Sequence, residues 1–158
     1  MKKFMLTALV AVIAMVNANA QEGVFRLGGS AGYSTEIEEI GYGIDIVYSI
    51  NDTWEVAADY IFIPEIDDML KFSFFDINAH YMISESFYAL AGIDFASTKI
   101  DFTIFDESIS ESDSETGANI GVGGRFSLTD SLSFFTEAKY VTTYDGLFNI
   151  RAGILFSF

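Results

Sequence analysis

Ile40-Gly41-Tyr42-Gly43-Ile44-Asp45-Ile46-Val47-Tyr48-Ser49-Ile50 decides how this chain is read. Every second residue, Ile40, Tyr42, Ile44, Ile46, Tyr48 and Ile50, is large and apolar. Between them stand Gly41, Gly43, Asp45, Val47 and Ser49, which are mostly small or polar. A period of two puts the first set on one face of a β-strand and the second set on the other, whereas a helix would scatter both.

The pattern recurs on both sides of this stretch, each time over about ten residues bounded by turn formers. Thr53 to Ile63 sets Trp54, Val56, Ala58, Tyr60 and Phe62 against Glu55, Ala57 and Asp59; Leu70 to Met82 sets Phe75, Ile77, Ala79 and Tyr81 against Asp76, Asn78 and His80. Gly23 to Tyr33, Phe87 to Ala96, Thr116 to Phe126, Ser131 to Val141 and Leu147 to Phe158 complete a set of eight. The ionisable residues Arg26, Asp45, Glu55, Asp59, Asp76, His80, Asp94, Arg125, Glu137, Lys139 and Arg151 all fall on the polar parity. Lys71, at a strand end beside a loop, is the exception.

Which face points inward separates a soluble barrel from a membrane one. The greasy face carries too much Ile, Phe, Tyr and Trp volume for the inside of so small a barrel, while its opposite is rich in Gly, Ala and Ser. Aromatics gather at the two strand ends: Tyr48, Trp54, Tyr81, Phe87, Phe126 and Phe158 near one rim, Tyr33, Tyr42, Tyr60, Phe62, Phe95 and Tyr140 near the other. Two such girdles mark the two interfaces of a bilayer, and tilted segments of about ten residues match its hydrocarbon thickness. Short turns at Asn51-Asp52, Ser84 to Ser86 and Ser127 to Asp130 alternate with longer connections at Ser34 to Glu39, Pro64 to Met69, Ser97 to Glu115 and Thr142 to Gly146. The expected fold is all-β: an eight-stranded antiparallel up-and-down transmembrane β-barrel, closed so that no sheet edge meets lipid.

Composition agrees and narrows the function. The 158 residues include 16% aromatics, 13 glycines, one proline and no cysteine, which excludes disulfides, thiol catalysis and zinc-thiolate sites. The formal net charge of −15 excludes nucleic acid as a natural partner, since a phosphate backbone requires a basic footprint. Lys2 and Lys3 precede an apolar run from Met5 to Val16 that ends in Ala18-Asn19-Ala20. This is the layout of a secretory signal peptide over residues 1–20, too short for a spanning helix, with the barrel domain over 21–158. The expected location is the outer membrane of a Gram-negative bacterium, after cleavage near Ala20.

In these features the mature chain resembles the small OmpX/OmpA-type outer-membrane β-barrel family, the porin-family-like barrel domains. The likeness is architectural except at the end, where Arg151-Ala152-Gly153-Ile154-Leu155-Phe156-Ser157-Phe158 is similar to the terminal β-signal of such proteins. The resemblance implies that the barrel assembly machinery reads Arg151, Gly153, Phe156 and Phe158. It implies lipid and lipopolysaccharide as the surroundings of the outer face.

The inward charges read as an ion-pair core, because an eight-stranded interior is filled by side chains and buried charges must be paired. His80 lacks the partners of a catalytic base and reads as structural, and Gly121-Val122-Gly123-Gly124 lacks the strand and helix of a nucleotide loop. No catalytic, cofactor or metal residue is expected. Ser97 to Glu115 holds Asp101, Asp106, Glu107, Glu111, Asp113 and Glu115 against Lys99, and Ile100, Phe102 and Ile104 alternate at its start. That alternation predicts a protruding hairpin above a solvated acidic surface. Its edge is a place for an extracellular protein to add a strand, and its acids for a divalent cation. The expected role is structural or surface-interacting, adhesin-like and non-enzymatic. A lipid-modifying enzyme and a secreted lipocalin-like carrier with the greasy face inside remain the alternatives.

Overall fold

A computed structural model describes residues 23–66, 70–104 and 107–158; the leader read over residues 1–20 lies outside them. The strands are β1 Phe25–Ser34, β2 Glu39–Ser49, β3 Trp54–Ile66, β4 Leu70–Met82, β5 Phe87–Ile104, β6 Glu107–Ser127, β7 Leu132–Val141 and β8 Leu147–Ser157. Each pairs antiparallel with its sequence neighbours, and β1 meets β8 from Arg26↔Ser157 to Ser34↔Asn149 to close the cylinder. Closure pairs the ladder groups around the wall, which hydrocarbon requires because it offers no water in exchange.

One rim carries both strand termini and three tight turns, each held by one side chain. Asn51 Oδ1 accepts the Thr53 and Trp54 amides at 2.9 Å each. Ser84 Oγ accepts the Phe87 amide at 3.2 Å, and Thr129 Oγ1 accepts the Leu132 amide at 3.1 Å. These residue types turn the chain by bonding backbone two or three positions on. The opposite rim carries the long connections. There β5 and β6 stay paired from Ser97↔Ser114 to Ile104↔Glu107, as a two-stranded ladder beyond Ile100, where the β4 pairing ends, so the segment read as the loop Ser97 to Glu115 holds the protruding hairpin that its alternation predicts. Likewise β3 runs past Pro64 to Ile66, with a register shift between Ile63 and Ile66. Proline has no amide to give the ladder, and a shift at such a position is its usual accommodation.

The alternation sorts the side chains inside out. Ile44, Ile120, Ile150 and Phe156 project outward, about half or more exposed, while Asp45, Asp59, Asp76, Asp94, Lys139 and Arg151 are at most 3% exposed. This is the transmembrane type of β-barrel, apolar without and polar within. It overturns the carrier alternative, which needs the greasy face to line a cavity.

The interior is not uniformly ionic. Ile63, Phe74, Ala96, Val141 and Leu147 form a buried apolar plug near the hairpin rim, against which Phe72 and Tyr144 pack. Val47, Ala57, Phe135 and Leu155 form a second cluster nearer the terminal rim. Thr142 to Gly146, read as an exterior loop, folds back into the mouth. Tyr144, Asp145 and Gly146 take φ values of 53°, 64° and 100°, and Thr143 is fully buried. A glycine suits the last of these conformations because it has no Cβ to strain.

Candidate functional site

The candidate site is the lumen with its two mouths, built by the inward parity of all eight strands. At its centre the Arg151 guanidinium, from β8, meets three carboxylates from three other strands. Its Nε donates to Glu137 Oε2 at 2.6 Å, Nη1 to Asp45 Oδ1 at 2.7 Å and Nη2 to Asp59 Oδ1 at 3.0 Å. The guanidinium plane also lies over the Phe135 ring, 5.5 Å from its centroid. Lys139 Nζ, from β7, bridges Asp59 Oδ2 at 3.3 Å and Asp76 Oδ2. Buried charges are tolerated when each meets an opposite partner, and each carboxylate of this layer touches Arg151 or Lys139, while Asp45 Oδ2 has no hydrogen-bond partner among the described residues.

A second layer sits at the terminal rim, where Glu55 gathers two cations. Arg125 grips it through two nitrogens at 2.9 and 2.6 Å, Arg26 Nη1 approaches at 3.1 Å, and Ser49 Oγ donates at 2.7 Å. Arg26 and Arg125 also line an open vestibule of about 820 Å³, together with Asn51, Asp52, Met82 and Glu85. His80 stands between the layers, stacked on Tyr88 at 4.5 Å, whose hydroxyl donates to Glu137 Oε1 at 2.7 Å. Its ring nitrogens lie 3.8 Å from Glu55 Oε2 and 4.0 Å from Glu137 Oε1, too far for hydrogen bonds. Among the described residues neither ring nitrogen has a hydrogen-bond partner.

Asp94 stands apart from both layers. Its partner is Thr143 Oγ1, which donates at 2.8 Å from the infolded loop. Above it, the Tyr144 amide donates to Glu115 Oε2 at 3.0 Å and the Tyr144 hydroxyl lies 2.6 Å from Thr98 Oγ1. Burial pushes the Tyr144 hydroxyl above the usual phenol range, opposed by the Thr98 bond and reinforced by the nearby acids Asp113, Glu115 and Asp94. These contacts tie the β7–β8 loop to the base of the hairpin.

Of the acids read on the hairpin, Glu111, Asp113 and Glu115 are exposed. They share the parity of Asp94 and Ala96, so they sit on the face that overlooks the mouth. Asp106 lies outside the described residues, as do the side chains of Asp101 and Glu107. The paired part of β6 ends against β7 at Asn119↔Val141, followed by the Thr142 amide donating to the Ala118 carbonyl, and among the described residues no strand pairs the edge above it. Among the described residues no three His, Cys, Asp or Glu side chains converge as a metal site. In the terminal segment, Phe156 and Phe158 face outward, whereas Arg151 is consumed by the core and Gly153 lies close against the Gly29 carbonyl and the Phe135 ring.

Sequence reading missed Thr143 and the two asparagines, Asn78 and Asn119, whose amides reach the buried aspartates. Their inward parity was the available signal.

No protein-family model matches the chain, and no curated protein matches it in sequence. Solved structures do match in shape. The N-terminal β-barrel domain of Pseudomonas aeruginosa OprF superposes with a TM-score of 0.64 at 18% identity, over 87% of this chain and 98% of that one. Ail, the attachment invasion locus protein of Yersinia pestis, gives 0.59 at 18% identity over 86% and 97%. A major outer membrane protein of Thermus thermophilus gives 0.69 at 11% identity over 86% and 99%. The chain therefore has the eight-stranded barrel fold of the small OmpA/OmpX-type outer-membrane proteins.

Proposed function

We propose that this chain is an integral outer-membrane barrel of a Gram-negative bacterium whose role is surface interaction, adhesin-like and non-enzymatic, with a lumen closed by its ion pairs. The single observation that carries this reading is the inversion of polarity, since a wall of exposed Ile, Phe, Tyr and Trp around a charged interior is stable only in hydrocarbon. Lipid and lipopolysaccharide surround that wall, and the barrel assembly machinery receives the chain through its aromatic terminus after the leader is cleaved. The hairpin rim then faces outward, placing the open edge of β6 and its acids Glu111, Asp113 and Glu115 where an extracellular protein adds a strand. The attachment protein Ail has the same fold, which supports the adhesin reading.

Two experiments test this. Extraction of membranes with carbonate and then with detergent is expected to release the folded barrel only into detergent; release by carbonate alone refutes membrane insertion. Cells expressing the full chain are expected to bind immobilised host-matrix protein more than cells expressing a chain with residues 98–113 replaced by a short turn. Equal binding by both refutes the hairpin as the interacting surface.

A further inference from the structure

The lumen holds Asp45, Glu55, Asp59, Asp76, Asp94 and Glu137 but its cations are Arg26, Arg125, Lys139 and Arg151. Four of the acids form a single row of cross-strand partners, Asp45↔Asp59↔Asp76↔Asp94, on β2 to β5. The first three each touch Arg151 or Lys139. Asp94, with no exposed surface at all, touches Thr143, and its Oδ2 has no hydrogen-bond partner among the described residues.

Two amides beside it are in the same condition. Asn78 Nδ2 donates to Asp59 Oδ1 at 3.2 Å, and Asn119 Nδ2 donates to Asp76 Oδ1 at 3.0 Å. A carboxylate accepts and does not donate, so both amides must point their nitrogens at it and their oxygens away. Asn78 Oδ1 and Asn119 Oδ1 are thereby left without partners, on side chains 1% and 4% exposed. Asn78 and Asn119 are the two cross-strand partners of Gly92, and Asp94 is the next inward residue above Gly92 on β5. The three orphan oxygens thus come from adjacent strands, β4, β5 and β6, around a residue with no side chain. A Cβ at Gly92 would collide with Asn78 Oδ1 and the Ile77 carbonyl.

We propose that Asp94 Oδ2, Asn78 Oδ1 and Asn119 Oδ1 hold a small monovalent cation of the sodium class over Gly92. Three acceptors cannot satisfy one another, and a water has two hydrogens for three oxygens and leaves the charge in place. A cation satisfies all three and neutralises the one carboxylate of the row that meets no basic side chain among the described residues. The donors are hard oxygens, which excludes metals that favour nitrogen or sulfur. One carboxylate with two neutral carbonyls balances a single charge, whereas calcium requires more oxygens and commonly several carboxylates. Thr143 and the apolar plug of Val141, Leu147 and Ala96 separate the site from the mouth, so bulk water does not compete for it.

The test is the unfolding of the purified full-length barrel in neutral detergent at pH 8, with sodium chloride exchanged for N-methyl-D-glucamine chloride at constant ionic strength. Sodium is expected to raise the folded-to-unfolded ratio in proportion to one plus the ratio of its concentration to Kd, by about tenfold at ten times its Kd. Asp94→Asn, whose new amide donates to a neighbouring carbonyl, is expected to fold and to lose that sodium response. Unfolding that is the same in both salts overturns the proposal and assigns the oxygens to a proton or a water. A sodium response that persists in Asp94→Asn overturns it as well. Should that variant fail to fold, sodium-23 relaxation of the wild-type barrel decides. Excess broadening displaced by lithium supports the site, and its absence refutes it.

Discussion

Replacing Arg151 by leucine removes the hub of the central layer. The side chain is 3% exposed and makes contacts of 2.6, 2.7 and 3.0 Å to Glu137, Asp45 and Asp59. After the change Asp59 keeps Lys139 and Asn78, and Glu137 keeps the Tyr88 hydroxyl, but Asp45 loses its cation. Stranding a buried charge in this way costs about 3–5 kcal/mol, with leucine packing on Phe135 recovering part of it. Arg125→Leu removes a guanidinium that is at the mouth and leaves Glu55 with Arg26 and Ser49, so its cost is about 1–3 kcal/mol. The assay is urea unfolding in neutral detergent, followed by the mobility shift of the folded band and by the fluorescence of Trp54. Arg151→Leu is expected to lie well below Arg125→Leu, and both below the wild type. Acidification narrows the Arg151→Leu deficit, because a neutral carboxyl needs no counter-ion. Wild-type stability in both variants, or Arg125→Leu the weaker of the two, refutes the ion-pair core.

On the outer wall, Ile44→Arg places a charge against hydrocarbon and is expected to cost about 2–4 kcal/mol in bilayer unfolding, an effect absent if that face does not meet lipid. Thr143→Val deprives Asp94 Oδ1 of its hydrogen-bond donor and lowers stability by about 1–3 kcal/mol in the same urea assay, with an unchanged midpoint counting against the infolded loop. Gly28→Val forces a side chain onto the Ile154 carbonyl at the β1–β8 seam, so it blocks appearance of the folded band on dilution from urea. Removing Phe158 slows membrane assembly in cells but not refolding in detergent, where no machinery reads the terminus; equal slowing in both places its role in packing.

Alternation alone determined the wall. Because Ile44 and Asp45 are neighbours in sequence, their opposite environments follow from the strand period with no knowledge of any partner. What the period leaves open is who meets whom across the lumen. Arg151 and Asp59 are 92 positions apart, and their contact depends on barrel closure and strand stagger, neither of which is a property of one segment. The apolar plug was hidden for a related reason. Ile63, Phe74, Val141 and Leu147 stand on the inward parity, yet their meeting at one level is set by tilt. Thr142 to Gly146 carries the polar composition of an outer loop, and its infolding rests on three left-handed residues that sequence marks only at Gly146. The hairpin edge was legible because the Ile100, Phe102 and Ile104 alternation continues the strand.

The inward charges are segregated around the circumference. The cations come from β1, β6, β7 and β8, and the aspartate row comes from β2 to β5. Each half-cylinder alone is an electrostatic fragment that hydrocarbon rejects, since the first-synthesised half would carry an excess of anions without counterparts. An entry by stages, with the leading hairpins embedded while the trailing ones wait in water, would carry that penalty until the late strands supply their cations. Desolvation of the aspartate row is thereby coupled to the sealing of the first strand against the last.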